Sequence, residues 1–172
     1  MTNQTDSPVK PKVLLAEDNP TVRRGIENFL GKWGYEAIEA DNGDSAWNEL
    51  EKDHTIRIAI VDWNLPGLSG IQICQRLRTR TNAPYVYAIM FSARKSHEEK
   101  IMALDGGADD YIVKPCKPSE LRARLGVARR IIDTAMGNLP SCSPNPPINS
   151  NESTIPKSTE ETSSDKDTSE KP

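Results

Sequence analysis

The chain has 172 residues and a formal net charge of −3, room for one domain of ordinary size. Residues 138–172 carry six acids against three lysines, which accounts for that whole net charge and leaves the rest of the chain neutral. A neutral body gives no electrostatic footprint for nucleic acid or an anionic membrane, so neither is expected as a partner.

In chain order, residues 1–10 read as a polar leader. Val13-Leu14-Leu15-Ala16 is a short buried strand, ended by the acidic pair Glu17-Asp18. Asn19-Pro20 suits a helix start, with a cap acceptor followed by Pro at the first helical position. Val22, Ile26, Phe29 and Trp33 follow at helical spacing, and Gly34 ends the element. Tyr35 to Ala40 is a second strand, Asp41-Asn42-Gly43 a turn, and Ala46, Trp47 and Leu50 lie on a short helix. Ile58-Ala59-Ile60-Val61 is an unbroken apolar run that suits a strand covered on both faces. It stops at Asp62, and Pro66-Gly67 turns the chain. Ile73, Cys74 and Leu77 share a face of the next helix, Ile71 to Arg80. A fourth strand, Tyr85 to Phe91, ends in Ser92-Ala93; it is also the longest apolar run, far too short to span a bilayer. The Glu98 to Leu104 helix closes at Gly106-Gly107, and Tyr111-Ile112-Val113 is a fifth strand ending in Lys114-Pro115. Pro118 opens the last helix, with Leu121, Leu125, Ala128 and Ile132 on one face.

Five strands alternating with five helices predict parallel βαβ units in a three-layer α/β sandwich. The size fits the flavodoxin-like doubly wound order 2-1-3-4-5. The folded domain is expected over 11–135. Residues 136–172 are expected to be a disordered Ser/Thr/Pro/Glu-rich tail, because all nine aromatics lie between Phe29 and Tyr111 and the tail cannot offset its ordering entropy. No signal peptide is evident. Cys74, Cys116 and Cys142 show no metal-ligand spacing, which points to the reducing cytoplasm. His54 and His97 stand apart and read as surface residues.

The chemistry lies in what ends each strand: Glu17 and Asp18, Asp62, Ser92 and Lys114. In an open α/β sheet all of these converge on the ligand-binding edge. Three carboxylates so close require a proton or a cation among them. A hard, oxygen-lined site suits Mg²⁺, for which Mn²⁺ could substitute. With an ammonium and a hydroxyl beside it, the set makes a phosphoryl-transfer site with Asp62 as nucleophile.

These residues resemble the receiver domain of two-component response regulators. The likeness rests on Glu17-Asp18 after the first strand, Val61-Asp62-Trp63-Asn64-Leu65-Pro66-Gly67, Phe91-Ser92-Ala93, and Gly107 to Pro115, and it covers roughly Lys10 to Asp133. The resemblance implies that Asp62 takes a phosphoryl group from a histidine kinase or histidine phosphotransfer protein. It implies that Glu17, Asp18, Asp62 and the Asn64 backbone carbonyl hold Mg²⁺. Ser92, Ala93 and Lys114 would receive the phosphoryl group, Ser92 and Tyr111 would form the switch, and Lys114-Pro115 would be a cis peptide. Asn64 and Arg94 occupy positions that tune the lifetime of the phosphorylated state. A partner or a phosphorylation-dependent homodimer would use the face of the Glu98 to Leu104 helix, the fifth strand and the last helix. Trp63 receives no chemical role. Cys116 stands where the family places a larger apolar residue, and Lys117 where a cap acceptor is expected.

Rival readings fit less well. A haloacid-dehalogenase-type hydrolase needs a second Asp two residues past the nucleophile, where Asn64 stands. A flavodoxin needs a hydroxyl- and Gly-rich phosphate loop where Glu17-Asp18 would repel phosphate. The chain is therefore expected to be a stand-alone receiver, not an enzyme beyond its own phosphorylation and dephosphorylation. The alternative is the receiver part of a longer regulator with a diguanylate cyclase or phosphatase module.

Overall fold

The computed structural model describes residues 9–137. The leader up to residue 8 and the expected tail from residue 138, with Cys142, lie outside the described residues.

Ten elements alternate strictly: β1 Lys12–Ala16, α1 Pro20–Lys32, β2 Glu36–Ala40, α2 Gly43–Lys52, β3 Ile58–Val61, α3 Gly70–Thr79, β4 Tyr87–Ser92, α4 His97–Asp105, β5 Asp110–Val113 and α5 Pro118–Ala135. The strands form one parallel sheet in the order β2-β1-β3-β4-β5, the order that the alternation of elements led us to expect. Side chains of a strand alternate between faces, and both faces are covered here. Val13, Leu15, Ile58 and Ile60 pack against α1 and α5, together with Ile26, Leu30, Leu121 and Leu125. Leu14, Ala16, Ala59 and Val61 face the opposite way, toward Ala46 and Leu50 of α2, Ile73 and Leu77 of α3, and Ala103 of α4. Two covered faces explain why β1 and β3 read as continuous apolar runs.

Two local details differ from the sequence reading. The buried stripe of α1 is Val22, Ile26 and Leu30, at strict i, i+4 spacing. Phe29 and Trp33 flank it half-buried and stack on each other at 5.6 Å. β4 begins at Tyr87 rather than Tyr85, because β3 starts at Ile58 and gives the chain no ladder partner before Tyr87. Tyr85 is 42% exposed; its hydroxyl donates to Asp109, and its ring lies under the Arg78 guanidinium. Trp63, given no chemical role, is buried in the α2–α3–α4 layer. Cys74 and Cys116 are buried and free, while His54 and His97 are exposed.

The start of α5 shows a local flaw. Lys117 holds the extended N-cap conformation, φ −76 and ψ 140, but its side chain makes no cap hydrogen bond. A Ser hydroxyl at this exposed position could accept an otherwise orphaned helix N–H, worth about 1 kcal/mol. Lys117→Ser should therefore raise the melting temperature by about 4 °C, measured by circular dichroism.

Candidate functional site

Four strand ends meet at one edge of the sheet, and each delivers a polar side chain there. β1 runs into Glu17 and Asp18, β3 into Asp62, β4 ends on Ser92, and β5 runs into Lys114. Parallel pairing continues into the loops. The Asp62 N–H donates to the Ala16 carbonyl at 2.9 Å, and the Lys114 N–H donates to the Ser92 carbonyl at 2.7 Å. The Lys114–Pro115 peptide is cis. α3 begins directly against the loop after β3: a Cβ on Gly70 would stand 2.2 Å from the Asp62 carbonyl oxygen, so only glycine admits this approach.

Carboxylate oxygens of Glu17, Asp18 and Asp62 lie within 4.8 Å of one another. Lys114, fully buried, reaches between two of them, its Nζ 2.5 Å from Glu17 Oε2 and 3.0 Å from Asp62 Oδ2. The same ammonium lies over the Phe91 ring, 5.0 Å from its centroid. Glu17 and Asp62 are buried, and Asp18 is open to solvent. Burial pushes the Glu17 and Asp62 carboxyls above the ordinary carboxylate range, and Lys114 opposes that shift at both. Ionising this pair thus lowers stability as pH rises through its elevated range.

Ser92 is buried, and its Oγ accepts the Arg94 N–H at 3.2 Å. Tyr111 is 3% exposed and donates its hydroxyl to the Arg94 carbonyl at 2.9 Å. Its ring lies inward, held by packing in the α2–α3–α4 layer. Arg94 stretches across the mouth of the site. Its guanidinium lies 4.9 Å from the Trp63 ring centroid, its Nη1 is 2.7 Å from Glu99 Oε1, and its Nη2 donates to Asn64 Oδ1 at 3.3 Å. Arg94 holds the Glu99 carboxyl below its ordinary range. Sequence reasoning missed Glu99, although Ser96-His97-Glu98-Glu99 is a legible capping box that places it in the first turn of α4. It also missed Arg23, whose Nη1 donates to the Glu17 carbonyl at 2.7 Å and to the Asp18 carbonyl at 3.4 Å. A basic residue one turn beyond the Asn19 cap was the available signal.

A family model described as the response regulator receiver domain matches residues 13–126. The chain belongs to this receiver family. Chemotaxis protein CheY1 of Helicobacter pylori is 35% identical over 117 residues, 67% of this chain and 94% of that protein. Response regulator RppA of Synechocystis is 41% identical over 120 residues, 69% of this chain and 50% of that protein. Among solved structures, the receiver domain of the Francisella response regulator 1452 aligns with a TM-score of 0.64 at 31% identity, over 70% of this chain and 98% of that one. The receiver chain thus spans about half the length of RppA and of the probable transcriptional regulator ycf27 of Porphyridium aerugineum. Acceptance of a phosphoryl group is the standard function of such receivers.

Removing the lysine should expose the electrostatic stress in this receiver. Lys114→Met leaves two buried carboxylates without their cation, a loss of about 3–5 kcal/mol. Its melting temperature should fall steeply at neutral pH and recover in part as acid protonates Glu17 and Asp62, followed by thermal scans across pH. An unchanged melting temperature at neutral pH would refute the proposed role of the ion pair.

Proposed function

We propose that Asp62 is the residue of this receiver that accepts the phosphoryl group, from a histidine kinase or histidine phosphotransfer protein. The observation that carries this reading is the meeting of Glu17, Asp18 and Asp62 within 4.8 Å beside the buried Lys114 ammonium. Carboxylates about 4 Å apart repel by about 4 kcal/mol at an effective dielectric of 20, and one lysine offsets only part of that. An all-oxygen donor set of this kind fits Mg²⁺, with Mn²⁺ able to substitute. Glu17, Asp18, Asp62 and the Asn64 backbone carbonyl would hold the ion. Bound there, Mg²⁺ supplies positive charge against the oxygens of the phosphoryl group.

The Asp62 carboxylate forms the new O–P bond as the donor's N–P bond breaks, and the electron pair leaves with the imidazole. Burial raises the affinity of Asp62 for a proton, so acceptance slows as pH falls through an elevated carboxylate range. Lys114, already 3.0 Å from Asp62 Oδ2, pairs with a phosphoryl oxygen. The Ser92 hydroxyl donates to another, and the small Ala93 leaves the group room. Asn64 and Arg94, joined at 3.3 Å across the mouth of the site, flank the path of hydrolytic water and set the lifetime of the phosphorylated state. The chemistry is the receiver's own gain and loss of a phosphoryl group, without turnover by a separate catalytic domain. A cytoplasmic location belongs to this reading, supported by the free thiols of Cys74 and Cys116, which a reducing compartment maintains.

The test uses acetyl phosphate with Mg²⁺. One phosphoryl group should appear at Asp62, located by mass spectrometry after reductive trapping. Label that persists in Asp62→Ala, or that forms equally well in EDTA, would sink the reading.

The output surface is α4-β5-α5. When Ser92 turns to the phosphoryl group, its Oγ gives up the Arg94 N–H, and the Arg94 carbonyl that holds Tyr111 moves with that loop. Ile101 and Leu104 of α4 and Val127 and Ile131 of α5 are exposed apolar groups on these helices, suited to a downstream protein or a phosphorylation-dependent homodimer. Ser92→Ala should still accept phosphate but lose the response of this face. Amide shifts with and without beryllofluoride check this, and shifts confined in the native chain to the loops around Asp62 would count against the switch.

A further inference from the structure

The acidic pair poses a problem that its own side chains do not solve. Glu17 is fixed, because its Oε2 takes the Lys114 ammonium and its Oε1 accepts the Asn19 N–H at 3.3 Å. Asp18 is exposed, and among the described residues its carboxylate has no hydrogen bond or ion pair, yet it faces Glu17 and Asp62 within 4.8 Å. The three carboxylates repel one another, so the backbone that sets where the Asp18 side chain leaves the turn decides how close it stands to the other two. Two contacts hold that backbone. The Glu17 N–H donates to the Ala40 carbonyl at 3.0 Å, and Arg23 Nη1 donates to the carbonyls of both Glu17 and Asp18, at 2.7 and 3.4 Å.

Arg23 is well placed for this work. Its own N–H donates to the Asn19 carbonyl at 2.9 Å, so it sits in the first turn of α1, capped when Asn19 Oδ1 accepts from Thr21 and Val22. On its other side, Nε lies 3.8 Å from Glu39 Oε2 on β2. The guanidinium therefore spans from the edge strand to the acidic turn, where one charged nitrogen, Nη1, donates to two successive carbonyls.

We infer that Arg23 is a positioning residue for a divalent cation at Glu17, Asp18 and Asp62: it holds the Glu17-Asp18 backbone so that the Asp18 carboxylate stays turned toward Asp62. This rests on the cation-site reading proposed above. The positive charge of Arg23 opposes a second cation, whereas its grip on the two carbonyls favours one. The Glu39 carboxylate, 3.8 Å from its Nε, offsets part of that positive charge, so the grip prevails.

The experiment is titration of the full chain with Mg²⁺ by calorimetry, with melting temperature in EDTA as the control for folding. Arg23→Met keeps the apolar stem and removes the Nη1 donor. It should weaken Mg²⁺ binding about tenfold, the usual size of an outer-shell loss, while melting close to the native chain in EDTA. Arg23→Lys keeps the charge, but its Nζ stops one bond short of the Nη1 position that reaches the two carbonyls, and it should fall between the two. Glu39→Gln, which removes only an exposed partner, should stay within about twofold. Mg²⁺ binding by Arg23→Met that equals or exceeds the native affinity overturns the positioning role. If Arg23→Met fails to fold, Arg23→Lys decides: weaker binding supports the role, and native affinity overturns it. No Mg²⁺ binding by the native chain would instead remove the cation site itself.

Discussion

The Lys114 ammonium, fully buried and shared by Glu17 and Asp62, is the contact on which this receiver's structure and chemistry depend together. It joins residues 97 positions apart in the chain and ties the ends of β1, β3 and β5 to one another. Removing charges from water costs several kcal/mol per ion unless their partners are well placed, so the sheet must hold these three ends in register. Three carboxylates against one ammonium leave the fully ionised cluster with two uncompensated negative charges. The imbalance makes the site receptive to a cation. Burial, working against Lys114, raises the proton affinity of Glu17 and Asp62, and the neighbouring carboxylates add to it.

That electrostatic centre is connected outward by short, specific contacts. Arg94 touches the neighbours of Asp62 on one side, through Trp63 and Asn64, and the first turn of α4 on the other, through Glu99. Glu99 also accepts the Ser96 N–H and donates its own N–H to the Ser96 hydroxyl, so the start of α4 and the mouth of the site share one side chain. Tyr111 is held to the same loop through the Arg94 carbonyl. A change at Asp62 that displaces this loop therefore acts on α4 and β5 together, and a gap of a few kcal/mol between two arrangements is enough for a ligand to shift their populations.

Much of this was legible in the amino-acid order because it obeys local rules. The apolar runs at Val13 to Ala16 and Ile58 to Val61 announced strands covered on both faces, and each ran into an acidic residue of the cluster. The Asn19-Pro20 start of α1 and the Leu121, Leu125, Ala128 and Ile132 stripe of α5 followed from capping and the helical period. Alternation of strands and helices was enough for a parallel doubly wound sheet, and with it for the convergence of Glu17, Asp18, Asp62, Ser92 and Lys114 on one edge.

Other features depend on distances between elements that no local pattern encodes. Periodicity was followed through Phe29 and Trp33 and passed over Leu30, and only the approach of α5 decided that Leu30 is buried while the two rings stack at the margin. Tyr85 looked like strand, but the ladder starts where β3 starts, and Asp109 and Arg78 capture its side chain instead. The inward position of Tyr111, the Arg94 span from Asn64 to Glu99 and the Arg23 grip on the acidic turn all join residues brought close by packing of separate units. The sequence by itself determined which residues stand at the strand ends, because hydrophobic period and turn chemistry act over a few neighbours. Only the tertiary structure decided which side chains hold them there, because those partners are chosen by the geometry of helices packed on a twisted sheet.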